Sequence, residues 1–97
     1  MKKFEELKDI IQKHRHELEL KFKIKEIGIF GSYVRGEQKK ASDIDILVEF
    51  KEPIGLIQFI VLEGRLEELL GIKVDLVSKK ALKHRIGEQI LDEVIYT

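Results

Sequence analysis

The sequence has no cysteine, no asparagine, a single proline and no net charge. Each shortage excludes something. Without cysteine there are no disulfides and no thiolate metal sites. Eighteen basic and 18 acidic residues balance to +0, so the basic excess of a nucleic-acid binder is missing and no DNA partner is expected. No apolar run is long enough to cross a bilayer, so no membrane insertion is expected. The start, Met1-Lys2-Lys3-Phe4-Glu5-Glu6, turns acidic at once and does not read as a signal peptide. A cytoplasmic location is the expectation. The absence of asparagine, beside abundant Lys, Glu and Ile, leans toward a heat-adapted source.

What is there suits one small domain spanning 1–97. Hydrophobic residues make up 43% and charged residues 37%, a foldable balance. A domain this size buries only a modest share of its surface and leans on a partner chain. No internal repeat, low-complexity tract or linker interrupts it.

Periodicity predicts the elements. From about Lys3 to Phe22, Phe4, Leu7, Ile11, His14 and Leu18 recur at helical spacing. Ile24 to Phe30 reads as a strand ended by Gly31. A short helix is expected from Ser32, a good N-cap type, followed by a polar loop from Gly36 to Ala41. Asp43 to Phe50 alternates, with Ile44, Ile46, Val48 and Phe50 on one face and Asp43, Asp45, Leu47 and Glu49 on the other. Pro53 and Gly55 make a turn, a helix runs from about Leu56 to Leu70, and Gly71 stops it. Ile72 to Val77 is a third strand. Ser78 is expected to cap a last helix in which Leu82, Ile86, Ile90 and Val94 repeat every four residues. The order predicts an α/β (α+β) architecture, a small mixed sheet with helices packed mainly on one face.

Three features carry chemistry: Gly31-Ser32 at a strand-to-helix turn, Asp43-Ile44-Asp45 on the next strand, and Asp75 on the third. Residues two apart on a strand share a face, so Asp43 and Asp45 are neighbours, roughly 6.5–7 Å apart at their backbones. Two such charges repel unless a cation lies between them, and hard oxygen ligands favour Mg²⁺ or Mn²⁺. Asp75 joins them if its strand is adjacent. Three carboxylates around one or two divalent ions are the apparatus of in-line phosphoryl transfer. At the turn, Gly31 lets a phosphate approach its backbone, Ser32 offers a hydroxyl and free helix N–H groups, and Arg35 lies one turn on. Either motif alone is compatible with an ordinary turn or a solvated strand. At average residue frequencies their joint occurrence arises by chance in roughly one chain of this length in a thousand.

Gly31-Ser32, ten intervening residues and Asp43-Ile44-Asp45 resemble the signature of the nucleotidyltransferase superfamily, to which DNA polymerase beta is distantly related. Gly31-Ser32-Tyr33-Val34-Arg35-Gly36 and Ser42-Asp43-Ile44-Asp45-Ile46-Leu47-Val48 look like the minimal nucleotidyltransferases, the MntA-type antitoxins encoded beside HEPN-domain toxins. The resemblance covers nearly the whole chain. It implies a central mixed sheet, Mg²⁺ dependence (two ions, or Mn²⁺ in their place) and ATP as donor. Asp43 and Asp45 would hold the metals, and Asp75 would be the third carboxylate, helping to activate the acceptor hydroxyl. Gly31, Ser32, Arg35 and Ser42 become the candidate nucleotide contacts. The implied acceptor is a tyrosine of a HEPN ribonuclease, silenced by AMP. Another acceptor (a small molecule or an RNA end) and an antitoxin that merely masks its partner are the alternatives.

Other residues are read plainly. His14 and His16, two apart on a helix, do not face each other and are assigned to the surface or the core edge. Lys79, Lys80, Lys83, His84 and Arg85 read as a solvated helix start that could also attract an anion. Leu56, Ile57, Phe59, Ile60, Val61 and Leu62 leave their helix little polar face. One sheet covers one side, so the other is expected to meet a partner or a second copy, the alternative being a helix sunk between the sheet and a neighbouring helix.

Overall fold

The computed structural model describes residues 3–39, 42–82 and 84–97, and for 84–87 the backbone only. Helix α1 spans Phe4–Phe22, with Glu5 and Glu6 in its first turn where the helix dipole favours acids. It buries Leu7, Ile11, Leu18 and Phe22. Strand β1 (Ile24–Phe30) leads into the single-turn helix α2 (Ser32–Arg35), then β2 (Ile44–Phe50), α3 (Leu56–Leu70) and β3 (Val74–Ser78). A 3₁₀ turn (Lys79–Ala81), α4 (His84–Glu93) and the two-residue β4 (Ile95–Tyr96) complete the order.

The four strands form one mixed sheet in the order β3-β2-β1-β4. β1 runs antiparallel to both β2 and β4, and β2 runs parallel to β3. Parallel neighbours need a crossover, and α3 is that crossover. Ile27, Ile29, Ile44, Ile46, Val48, Val74 and Leu76 line one face of the sheet and pack with Leu7, Ile11 and Leu18 of α1 and Leu62, Leu66 and Leu70 of α3 in one core. Burying each such side chain contributes roughly 1.5–3 kcal/mol. Strict alternation would put Ile24 and Ile27 on opposite faces. A register shift between Ile24 and Glu26 brings both inward, and both are fully buried.

The opposite face carries the acids, together with Phe30 and Leu47, which are also buried. The end of α4 crosses this face. A Cβ on Gly28 would lie 2.7 Å from Val94 Cγ2 and 2.9 Å from the Ile95 carbonyl oxygen, so the glycine makes room for the returning chain. The Thr97 amide donates to the Ile27 carbonyl at 2.9 Å, and Arg15 donates to the Thr97 carbonyl.

Four expectations change. Ser32 is not a cap: Gly31 holds the N-cap position and Ser32 begins the helix. The third strand starts at Val74, because Gly71 closes α3 in the left-handed region and Gly71 and Ile72 form the bend that follows. Ser78 ends β3, and the last helix is split, with a 3₁₀ turn ahead of α4. β4 was not expected, since two residues carry no alternation. The apolar side of α3 is exposed: Leu56, Ile57, Ile60 and Val61 are 75%, 77%, 57% and 44% accessible.

Candidate active site

The turn after β1 is shaped by one residue. Gly31 has φ 80° and ψ −151°, a region open essentially to glycine alone. A Cβ there would lie 2.1 Å from Asp45 Oδ2. Backbone freedom and close approach to the acid are thus both required. The Gly31 carbonyl accepts from the amides of Val34 (3.0 Å) and Arg35 (3.2 Å), which winds the single turn of α2.

Asp45 lies on β2 opposite Phe30 of β1 and in register with Asp75 of β3. Its carboxyl is pushed up to about 6, first by burial, then by Asp75, which both repels it and shares a hydrogen bond with it, and then by Asp43; Arg35 pulls weakly the other way. Asp43 stands just before β2, exposed, and Asp75 is exposed on its strand. Among the described residues no three of His, Asp or Glu draw together as a ready metal-holding group. The three-carboxylate cage expected from the sequence is therefore not preassembled. Asp45 and Asp75 already share a hydrogen bond, while Asp43 stays exposed just before the strand.

Arg35 donates through Nε to Glu37 and through Nη1 to Glu93, both at 2.5 Å. These bonds, Glu93 first, hold its guanidinium above the ordinary value. Ser42 is tied locally. Its Oγ accepts from the Lys39 amide at 2.8 Å and its own amide donates to the Lys39 carbonyl at 2.9 Å, closing the loop before β2.

A cleft of about 470 Å³ joins Phe30, Gly31, Arg35 and Asp45 to Gln89, Ile90 and Glu93 of α4. A larger, more apolar hollow of about 620 Å³, bordered by Phe50, Leu56, Phe59, Lys79 and Lys80, lies at the other end of β2. It lacks the paired aspartates, so the smaller cleft is the chemical one. Lys79 there pairs with Glu49 at 3.6 Å. Lys83 and the side chains of His84 and Arg85, the rest of the basic cluster, lie outside the described residues. The sequence does not mark Glu93 and Gln89 as site residues, and it marks Ile90 only as an apolar helix position. Their helical spacing was visible, but nothing local said which face of the sheet α4 would cross.

The nucleotidyltransferase domain family matches residues 11–97. The chain belongs to that family. This nucleotidyltransferase is 53% identical over 92 residues to a protein adenylyltransferase MntA of Thermococcus cleftensis, covering 95% of this chain and 93% of the relative. Among solved structures, it is similar to a toxin-antitoxin complex with AMP-PNP, with TM-score 0.74 and 29% identity over 93% of this chain and 70% of that one. It is also similar to the complex of a tri-AMPylated HEPN toxin with its MNT antitoxin from Shewanella oneidensis, with TM-score 0.65 and 26% identity over 93% of this chain and 66% of that one.

The acids of this nucleotidyltransferase fit a divalent cation. All are hard oxygen donors, Asp45 and Asp75 already touch across the strand pair, and the Asp45 carboxyl, raised first by burial and then by its acidic neighbours, stands where a cation would relieve the charge.

Proposed function

We propose that this nucleotidyltransferase transfers AMP from ATP to a hydroxyl, a tyrosine, of a HEPN-domain toxin, as the antitoxin of the pair. The observation that carries the reading is the meeting of the Gly31 turn with the Asp45–Asp75 pair. The adenylyltransferase relative and the AMPylated toxin complex support the choice of nucleotide and acceptor.

In this reading the Gly31 amide and the Arg35 guanidinium bind phosphate oxygens, with Ser32 beside them and Ser42 bracing the loop before β2. Asp43, Asp45 and Asp75 would hold Mg²⁺, one or two ions, with Mn²⁺ able to substitute. The bound metal supplies charge neutralisation at the phosphates. The acceptor oxygen attacks the α-phosphorus, the bond from that phosphorus to its bridging oxygen breaks, and pyrophosphate leaves. Asp75, the most open of the touching pair, takes the hydroxyl proton. The exposed apolar side of α3 is the proposed protein contact, with the toxin or a second copy.

The test is to incubate the protein with ATP, Mg²⁺ and the product of the neighbouring gene, then weigh that product. A gain of whole AMP units, lost in Asp43→Asn, supports the proposal. Neutralisation of the toxin with no change in mass would replace it with masking by binding, and no interaction would leave a different acceptor.

A further inference from the structure

The two donors that this reading gives to the nucleotide are already bonded to one side chain. The Gly31 amide donates to Glu93 Oε2 at 3.1 Å, and Arg35 Nη1 donates to Glu93 Oε1. Glu93 is the last residue of α4 and its side chain is 22% exposed. A carboxylate bridging a backbone N–H and a guanidinium presents two oxygens in the way a phosphate does. It does so in a cleft that also holds Asp45, where a further negative charge is unfavourable unless cationic donors hold it. An acid kept in such a place identifies the spot as a seat for an anion.

We propose that Glu93 is an internal competitor for the nucleotide, its carboxylate occupying the seat of a phosphate group until the metal-bound nucleotide displaces it. The inference rests on the nucleotide-binding reading above and adds a regulation to it. Arg35 is suited to the exchange. Glu37 holds its Nε independently of Glu93, so the guanidinium keeps its place while the Nη1 edge changes partner. Displacing Glu93 also releases the end of α4 from the β1–α2 turn. Whatever holds α4 away therefore favours nucleotide, and whatever holds it down opposes nucleotide. The apparent affinity of the resting chain is lowered by the fraction of molecules in which Glu93 is seated.

A residue that only stapled α4 to the sheet would lower nucleotide affinity when removed; a competitor raises it. The experiment measures binding of a non-hydrolysable ATP analogue with Mg²⁺ to the full chain by calorimetry, in wild type, Glu93→Gln and Glu93→Ala. Glu93→Gln keeps the shape and an acceptor for Gly31 while removing the charge, so it reads the competition even if Glu93→Ala folds poorly. The expected result is about a tenfold gain in affinity, the loss of one competing charge-assisted hydrogen bond, with an unchanged circular dichroism spectrum. Equal or weaker binding by folded Glu93→Gln, with wild type binding well, overturns this inference alone. If neither wild type nor the variants bind the analogue, the nucleotide reading falls and takes this one with it. Binding by the variants where wild type shows none supports both.

Discussion

At the scale of single residues, the site depends on a missing side chain and on an excess of charge. Gly31→Ala places a methyl group 2.1 Å from Asp45 Oδ2 at a φ of 80°. It is expected to cost about 1–3 kcal/mol of stability from the backbone alone and to abolish AMP transfer, read by urea unfolding and by the mass of the acceptor. Asp45 gives the opposite sign. Its carboxyl rises from 3.8 to about 6 on folding, so the folded chain holds the proton more tightly than the unfolded one. Stability from this group is present below 3.8 and is lost as pH climbs through 6. Asp45→Asn is therefore expected to stabilise the cation-free protein at neutral pH, on the order of 1 kcal/mol once solvent screening is discounted, while ending transfer. Melting curves in chelator should show the gap between variant and wild type widening from pH 4 to 6, and added Mg²⁺ should close it at pH 7.

At the scale of elements, much was legible because it is local. The bounds of α1, β1, β2 and α3 follow from apolar periodicity, and the faces of β2 follow from alternation: Ile44, Ile46 and Val48 are buried in the core as the pattern predicts. β4 was invisible. Ile95 and Tyr96 become a strand only because Gly28 and Ile29 accept them as partners, and Val94 fits only because Gly28 has no side chain. Gly28→Val is expected to overpack this seat, at about 1–3 kcal/mol, and to loosen β4 selectively. Hydrogen exchange at the Thr97 amide, which bonds the Ile27 carbonyl, should accelerate before exchange in β2 does. Unchanged protection there would show that β4 docks independently of Gly28.

At the scale of the whole molecule, the cleft is assembled from β1, the α2 turn, β2 and α4, with β3 bringing Asp75 beside it, while the far side of α3 is left apolar and open. Ile57 is 77% exposed, so Ile57→Glu is expected to leave the melting temperature within a degree or so, as surface changes do, yet to abolish co-purification with the proposed toxin partner or self-association on a sizing column. Retention of both would remove α3 from the interface. Local spacing was enough to set out the groups at hand: a glycine at a strand end, Asp45 on the next strand with Asp43 just ahead of it, and Asp75 on another strand, because spacing along a chain sets local geometry. It took the folded chain to bring Asp75 into register with Asp45, to set the Gly31 turn against Asp45, and to return Glu93 across the sheet to the donors. Strand neighbours and the path of α4 are chosen by burial and hydrogen bonding between segments far apart in the chain, and no local pattern encodes that choice.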